Sequence, residues 1–351
     1  MIGVGVVGCN YGRTVLVPAF RQDSRCEVVA LAGTDAGRTA GLARAANIGR
    51  GFGSWQALVD DPAVVLVAVA VPPDLQPAIA QRALELGKPV FLEKPLAADL
   101  AGARTILESA RKSGQPTIID FNFPELPSWR RAKAILDGGA IGRLQNVVVT
   151  WNFENEATRL HLETWKAHGN GGGGLLGNFV SHCFHNLEWL CGPISGLSAR
   201  VFALPDRKAD SAVALALAFG LGAGGSLQMS CASFLGSGHR IELYGEKGTL
   251  VLSNPTADYF RGFELKLARQ GDEALKPVPI EETDEDPHSD SRAPPVRRLV
   301  QRFLDACERG GAPSPGVTDG YRVQFLIEAA RRAHTTGRWI DIAPPGAEAS
   351  R

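Results

Sequence analysis

The sequence predicts an α/β chain in two domains. A doubly wound parallel sheet is expected over residues 1–120, followed by an α+β domain over 121–345 with a large, open, mostly antiparallel sheet. Three observations predict it. Up to about residue 120, short β-branched runs alternate with helical segments. Beyond that point the alternation stops and period-two strands follow one another without helices between them. The length of 351 residues also exceeds what one ordinary core holds.

In chain order, IGVGVV, EVVALA, VVLVAVAV, PVFL and PTIID read as strands because β-branched residues dominate each run. RTAGLARAAN, LQPAIAQRALELG and AGARTILESARKSG carry apolar residues at helical spacing, and the last two stop at glycine. In the second half, the helical stretches SWRRAKAILDGG and FVSHCFHNLEWL flank the strand LQNVVVTW. SAVALALAF then alternates strictly, with Val213, Leu215, Leu217 and Phe219 on one face, and GSLQMSCAS, HRIELYG and GTLVLS continue the sheet. Helices cover one face of such a sheet. The other face is expected to join copies of the chain into a homodimer or homotetramer. The acidic run EETDEDPHSD at 281–290 has no apolar periodicity and is expected to be a solvated loop. Helices around 296–308 and 319–334 close the chain, and the tail PPGAEASR is expected to fray.

Charge narrows the function classes. Lys plus Arg and Asp plus Glu each total 37, which gives no electrostatic reason to expect nucleic acid or an anionic membrane as a partner. A small, roughly neutral ligand fits better. The opening MIGVGVVGCNYG has no basic n-region, and the apolar runs at 63–71 and 212–224 are shorter than a membrane span, so the expected location is the cytoplasm. Six cysteines without a CxxC pair point to buried thiols, with neither a disulfide framework nor a zinc or other metal site.

The strand VGVV runs into Gly8-Cys9-Asn10-Tyr11-Gly12 and then into a helix beginning at Arg13. A dinucleotide-binding unit needs this order: a tight turn that lets the backbone approach a pyrophosphate, and helix N-terminal amides facing it. Asn10 stands where the second glycine of the usual pattern falls, and its tolerance of positive φ is expected to let the turn form. After the second strand, Gly33 and Thr34 replace the acidic residue that holds an NAD ribose, and Arg38 lies one helical turn on. This favours NADP over NAD, although Asp35 remains within reach of a ribose. Farther along, Glu93, Lys94 and Pro95 directly follow the strand ending at Leu92, which puts Lys94 at the carboxyl end of the sheet, where ligands bind. In GNGGGGLLGNFVSHCFHNLEW, at 169–189, a glycine run precedes His182 and His185, which share one helix face at i, i+3 spacing.

The glycine turn, VAVAVPP, GKPVFLEKPLA, the GGGGLLGN…SHCFH block and RIELYGEKGTLVL occur in an order and spacing that resemble the Gfo/Idh/MocA family, the glucose-fructose oxidoreductase and inositol dehydrogenase group. The resemblance covers residues 2 to about 342. It implies an N-terminal Rossmann domain that binds a nicotinamide cofactor and a C-terminal α+β domain whose open sheet mediates oligomerisation. It also implies hydride transfer at a secondary alcohol or ketone of a sugar, polyol or related cyclic compound. By position, Lys94 matches the family lysine that contacts the cofactor ribose and the reacting oxygen. His182 matches the acid/base histidine, and Asn178 the aspartate that orients it. His185 falls at a position that is often a substrate-binding aspartate. Pro72, Pro73 and Gln76 match a T-P-N-x-x-H element, with Gln76 in place of its histidine. Glu93 belongs to the cofactor-side motif, and Trp165 and Lys166 are candidates to line the substrate pocket, whereas His161 and His168 read as surface residues.

Both family carboxylates on this helix are therefore replaced. Asn178 can orient His182 but cannot offset an imidazolium charge, which disfavours alcohol oxidation driven by His182 alone. Ketone reduction, or a site in which Lys94 handles the proton, fits better, and His185 suits a substrate carrying negative charge. Two other readings stay open. One is a cofactor-retaining lyase, epimerase or glycosidase using transient oxidation; the other is a non-catalytic, cofactor-sensing regulator.

Overall fold

The computed structural model describes residues 1–160, 162, 165–167, 172–205, 207–281 and 290–347. The chain divides into two compact units, Met1–Asn122 with Pro287–Gln324, and Phe123–Asp286 with Phe325–Arg351.

The first unit is built on strands β1 (Ile2–Val7), β2 (Cys26–Ala32), β3 (Arg50–Phe52), β4 (Leu66–Val69), β5 (Val90–Leu92) and β6 (Thr117–Ile119). They form one sheet in the order β3-β2-β1-β4-β5-β6 with every pairing parallel. The connections are α1 (Val17–Arg21, entered through a π-turn at Gly12–Leu16), α2 (Ala36–Ala45), α3 (Trp55–Val59), α4 (Gln76–Glu85) and α5 (Leu100–Ser113). Helices on both faces explain why the strand residues Val4, Val6, Leu31, Leu66, Phe91 and Ile118 are all sealed from solvent. β3 and α3 were not expected from the sequence, since RGF and WQALV are too short to show either period.

The expected second domain runs unbroken from 121 to 345, whereas the observed units interleave. Helix α9 (Ala293–Arg309) belongs to the first unit and contributes Val296, Leu299, Val300, Phe303 and Leu304 to its core. Phe303 meets Phe91 edge-on at 6.0 Å. A strongly one-sided helix takes the nearest unfilled apolar face, whatever its place in the sequence.

The second unit opens with α6 (Pro127–Asp137), β7 (Leu144–Asn152), α7 (Glu156–Arg159) and α8 (Ser181–Cys191). Strands β8 (Ile194–Ala203), β9 (Asp210–Phe219), β10 (Gly224–Ser230), β11 (Gly238–Gly245), β12 (Gly248–Asn254), β13 (Glu264–Arg269) and β14 (Lys276–Pro277) follow. Helix α10 (Val317–Thr336) spans the division at 324/325, and β15 (Ile340–Asp341) ends the series. The nine strands form a sheet in the order β14-β13-β12-β11-β7-β10-β9-β8-β15, antiparallel except between β10 and β7. The period-two reading of β9 holds: Val213, Leu215, Leu217 and Phe219 are buried, while Ala214 and Ala216 face outward. β8 was missed because glycine and polar residues interrupt its alternation, and its register shifts between Ile194 and Gly196. Within the acidic run, 282–289 lies outside the described residues. Among the described residues, no helix is long and apolar enough to cross a membrane.

Candidate active site

The turn after β1 is drawn tight by Gly8, whose φ is +121° and whose N–H donates to the Ala32 carbonyl at 2.9 Å. A Cβ there would stand 2.1 Å from the Ala70 carbonyl oxygen, so only glycine fits. This corrects the expectation for Asn10. The positive φ belongs to Gly8, and Asn10 is an exposed residue whose carbonyl accepts the Thr14 N–H at 2.9 Å. Gly12 packs its helix onto β1, where a Cβ would meet Val6 at 2.9 Å, and Arg13 Nε donates to the Cys9 carbonyl at 3.2 Å. Gly33 keeps room for Cys9, since a Cβ on it would lie 2.7 Å from the Cys9 sulfur. Thr34 and Arg38 are exposed, while the carboxylate of Asp35 caps α2 by accepting the Arg38 N–H at 2.7 Å. Close-set backbone and no intruding side chain at Gly8 and Gly12 suit the pyrophosphate of a dinucleotide.

Lys94 lies two residues past β5. Pro72 and Pro73 lead into α4, whose first residue, Gln76, is wholly buried. Its Nε2 donates to the Glu93 carbonyl at 3.0 Å and to the Pro95 carbonyl at 2.7 Å, fixing the backbone on both sides of Lys94. Gln76 thus serves the shape of the turn. Tyr11 turns inward too: its hydroxyl donates to Asp120 Oδ2 at 3.0 Å, and the Arg292 guanidinium lies over its ring at 5.5 Å.

In the second unit, a π-turn at Leu176–Val180 leads into α8. Gly174 has φ +73°, and a Cβ on it would stand 2.1 Å from Asp210 Oδ1; one on Gly177 would stand 1.9 Å from the Gly172 carbonyl oxygen. The glycines therefore bring the helix start against the first residue of β9. Asp210 Oδ2 accepts the Leu176 N–H at 2.6 Å. Burial pushes this carboxyl above its usual range, and the amides that it accepts pull against that rise.

Asn178 lines a cleft with Lys166, Arg207, Asp210, Ser211 and Thr158. Trp165 is partly buried, with the Lys166 ammonium 5.7 Å from its ring centroid. His182 and His185 are not part of that lining. His182 is buried edge-on against Phe123 at 5.0 Å, and the Nδ1 of the half-buried His185 lies 3.4 Å from the Asn186 side-chain oxygen. His161, His168 and Gly171 lie outside the described residues.

Three residues escaped the sequence reading. Asp120 ends the strand PTIID, and its signal was an acidic residue at the carboxyl edge of a parallel sheet, beside Glu93. Asp210 heads β9, where the reading began one residue later. His239 had no local signal. It stacks on Trp151 at 4.2 Å and 2°, with neither ring nitrogen hydrogen bonded among the described residues, and burial lowers its pKa to about 3.

A parallel sheet in the order β3-β2-β1-β4-β5-β6, with a glycine turn after its first strand, defines a dinucleotide-binding fold. The chain belongs to the Gfo/Idh/MocA oxidoreductase family. The family model described as an oxidoreductase family with an NAD-binding Rossmann fold matches residues 2–121, and the family's C-terminal domain matches 129–251. Inositol 2-dehydrogenase 1 of Saccharopolyspora erythraea is 27% identical over 97% of this chain and 95% of that protein. Levoglucosan dehydrogenase of Pseudarthrobacter phenanthrenivorans is 25% identical over 85% of this chain and 86% of that protein. The structure of a levoglucosan dehydrogenase with NADH and levoglucosan superimposes with a TM-score of 0.86, covering 97% of this chain and 99% of that one at 22% identity. At that identity the likeness is one of fold.

Proposed function

We propose that the protein is an NAD(P)-dependent dehydrogenase or ketoreductase that interconverts a secondary alcohol and a ketone on a sugar, polyol or similar cyclic compound. The observation that carries this reading is the turn at Gly8 and Gly12, shaped for a pyrophosphate at the head of a six-stranded parallel sheet. The names of the inositol and levoglucosan dehydrogenases support the substrate class. The residues that would hold the dinucleotide are the turn from Gly8 to Arg13, then Gly33, Thr34 and Arg38, with Pro72, Pro73, Glu93 and Lys94 toward the nicotinamide end, where the buried Gln76 shapes the turn and does not itself touch the ligand. When bound, the nicotinamide supplies the acceptor or donor of hydride. Exposed Thr34 and Arg38, together with an Asp35 committed to capping α2, support NADP.

Lys94 stabilises the developing alkoxide, and His182, held by Asn178, exchanges the proton. Trp165, Lys166, Asn178 and His185 bind the substrate. The first unit is the cofactor domain, and the second is the substrate and oligomerisation domain. The small and polar residues on the outward face of β9 and β10 suit contact with another copy in a homodimer or homotetramer. The test is a screen of inositols, keto-sugars and anionic sugars with NADPH and NADH, followed at the reduced-nicotinamide absorbance. Substrate-dependent change supports the reading. Turnover without net absorbance change replaces it with a cofactor-retaining reaction, and no dinucleotide binding at all overturns it.

A further inference from the structure

Strands β12 and β13 are antiparallel neighbours, yet residues 255–263 join them, a longer connection than the roughly two to five residues that a hairpin needs. The loop is organised around Asn254, which is 2% exposed. Its Oδ1 accepts the Thr256 N–H at 3.0 Å and the Thr256 hydroxyl at 2.8 Å, while its Nδ2 donates to the Asp258 carbonyl at 2.6 Å and the Arg261 carbonyl at 3.1 Å. Asp258 Oδ1 in turn accepts the Phe260 N–H at 2.9 Å and the Arg261 N–H at 3.1 Å. Hydrogen bonds rather than burial set this backbone, since Thr256, Ala257, Arg261 and Gly262 are all exposed.

Three half-buried aromatic residues, Tyr259, Phe260 and Phe263, sit on this frame. Phe263 closes on Trp129 at 5.5 Å and on His239 at 5.7 Å. The other two meet the candidate site. Phe260 stacks on Phe123 at 4.9 Å and 24°, and Phe123 meets His182 edge-on at 5.0 Å and 76°. Tyr259 meets Phe179 edge-on at 5.7 Å and 84°, and Phe179 directly follows Asn178 in the π-turn. All these residues belong to the second unit. In a close-packed interior a ring moves only when its neighbours do, so the buried imidazole keeps its orientation while Phe123 is held. Burial for stability needs only apolar area. What singles out this loop is where its rings land: one on the ring that faces His182, the other on the residue beside Asn178.

We propose that the loop between β12 and β13 is a bracket for the active site: Asn254 fixes its backbone, and the contacts of Phe260 with Phe123 and of Tyr259 with Phe179 position the ring of His182 and the turn carrying Asn178. This rests on the roles given to His182 and Asn178 under the proposed function. Asn254, Tyr259, Phe260 and Phe123 are positioning residues; they act through the imidazole, which they hold in the orientation from which it exchanges the proton.

The orientation can be read without turnover. In a proton–carbon correlation spectrum of the full chain, the imidazole resonance of His182, identified by its loss in His182→Gln, carries the ring-current shift of Phe123. Phe260→Leu is expected to move that resonance, and Phe260→Tyr, which keeps the ring, to leave it in place. Asn254→Asp keeps the oxygen that serves Thr256 but loses both N–H donors, and it is expected to move the resonance as the leucine variant does. Steady-state kinetics with inositols and keto-sugars, using NADPH and NADH, give the second readout. Phe260→Leu is expected to lower kcat about tenfold or more with KM nearly unchanged, as for a misplaced reacting group, and Phe260→Tyr to restore it. A resonance unmoved in both Phe260→Leu and Asn254→Asp overturns the bracket, as does equal loss of kcat in the leucine and tyrosine variants. A lowered unfolding midpoint with wild-type kcat and resonance makes the loop a structural element only and overturns it too. A resonance that moves while His182→Gln keeps full turnover supports the bracket and removes His182 from the reaction, which is a failure of the proposed function alone.

Discussion

Asp210 Oδ2 accepts the main-chain N–H of Leu176 at 2.6 Å, so a carboxylate on the first residue of β9 closes the entry to the helix that carries Asn178 and His182. This carboxylate comes from a strand and not from the helix whose entry it closes. Asp210→Ala is expected to cost about 1–2 kcal/mol of stability, in the range of a lost helix cap, and to lower kcat. Asp210→Asn keeps an acceptor oxygen and is expected to recover most of both. Denaturant unfolding with parallel steady-state kinetics checks this; equal loss in the two variants would mean that the acceptor oxygen is not what matters.

The close approach of Gly174 to that carboxylate leads to a second expectation. Its φ of +73° and the 2.1 Å clearance to Asp210 Oδ1 leave no room for a methyl group. Gly174→Ala is expected to be more damaging than Asp210→Ala, because it adds backbone strain while displacing the cap. Thermal midpoints of the two variants decide the order.

Gln76 offers a test of geometry without charge. Gln76→Leu leaves the Glu93 and Pro95 carbonyls without their donor and is expected to cost about 1–3 kcal/mol, as for other buried groups that lose a partner. With the turn around Lys94 loosened, kcat is expected to fall more than the affinity for dinucleotide. A variant with wild-type kcat would show that the turn holds its shape unaided.

His239 sets a pH dependence of stability. Its pKa is lowered to about 3 by burial, so below its unfolded value the denatured chain binds the proton more readily than the native one. Its contribution is fully present above about pH 6.5 and declines by about 1.4 kcal/mol for each pH unit below that. His239→Phe keeps a ring against Trp151 and is expected to flatten the acid side of the stability curve. Urea unfolding of both proteins between about pH 4.5 and 7 gives the two slopes, and parallel curves would sink the assignment.

Lys94→Ala is expected to lose hydride transfer by orders of magnitude while far-UV circular dichroism and the unfolding midpoint stay close to wild type, since Lys94 is not part of a core. Undiminished turnover would place the chemistry elsewhere.

Much of this architecture is legible from local pattern. The central strands of the first sheet, the glycine turn at Gly8–Gly12 and the position of Lys94 at a strand end all follow from residues adjacent in sequence. So does the alternation of β9. The misreadings were also local: positive φ was assigned to Asn10 because asparagine tolerates it, but the tight contact with Ala70 that demands it falls on Gly8. Nothing near Asn10 in sequence shows where Ala70 will be.

By itself the sequence determined the kinds of elements and their order, because the strand period of two and the helix period of 3.6 are written in neighbouring residues. Tertiary structure decided which polar groups meet: Tyr11 with Asp120, Leu176 with Asp210, and His239 with Trp151. These partners come from separate segments, and only strand register and helix packing bring them within hydrogen-bonding or stacking distance. Their protonation follows from burial at those meeting points, a property that no stretch of chain possesses before it folds.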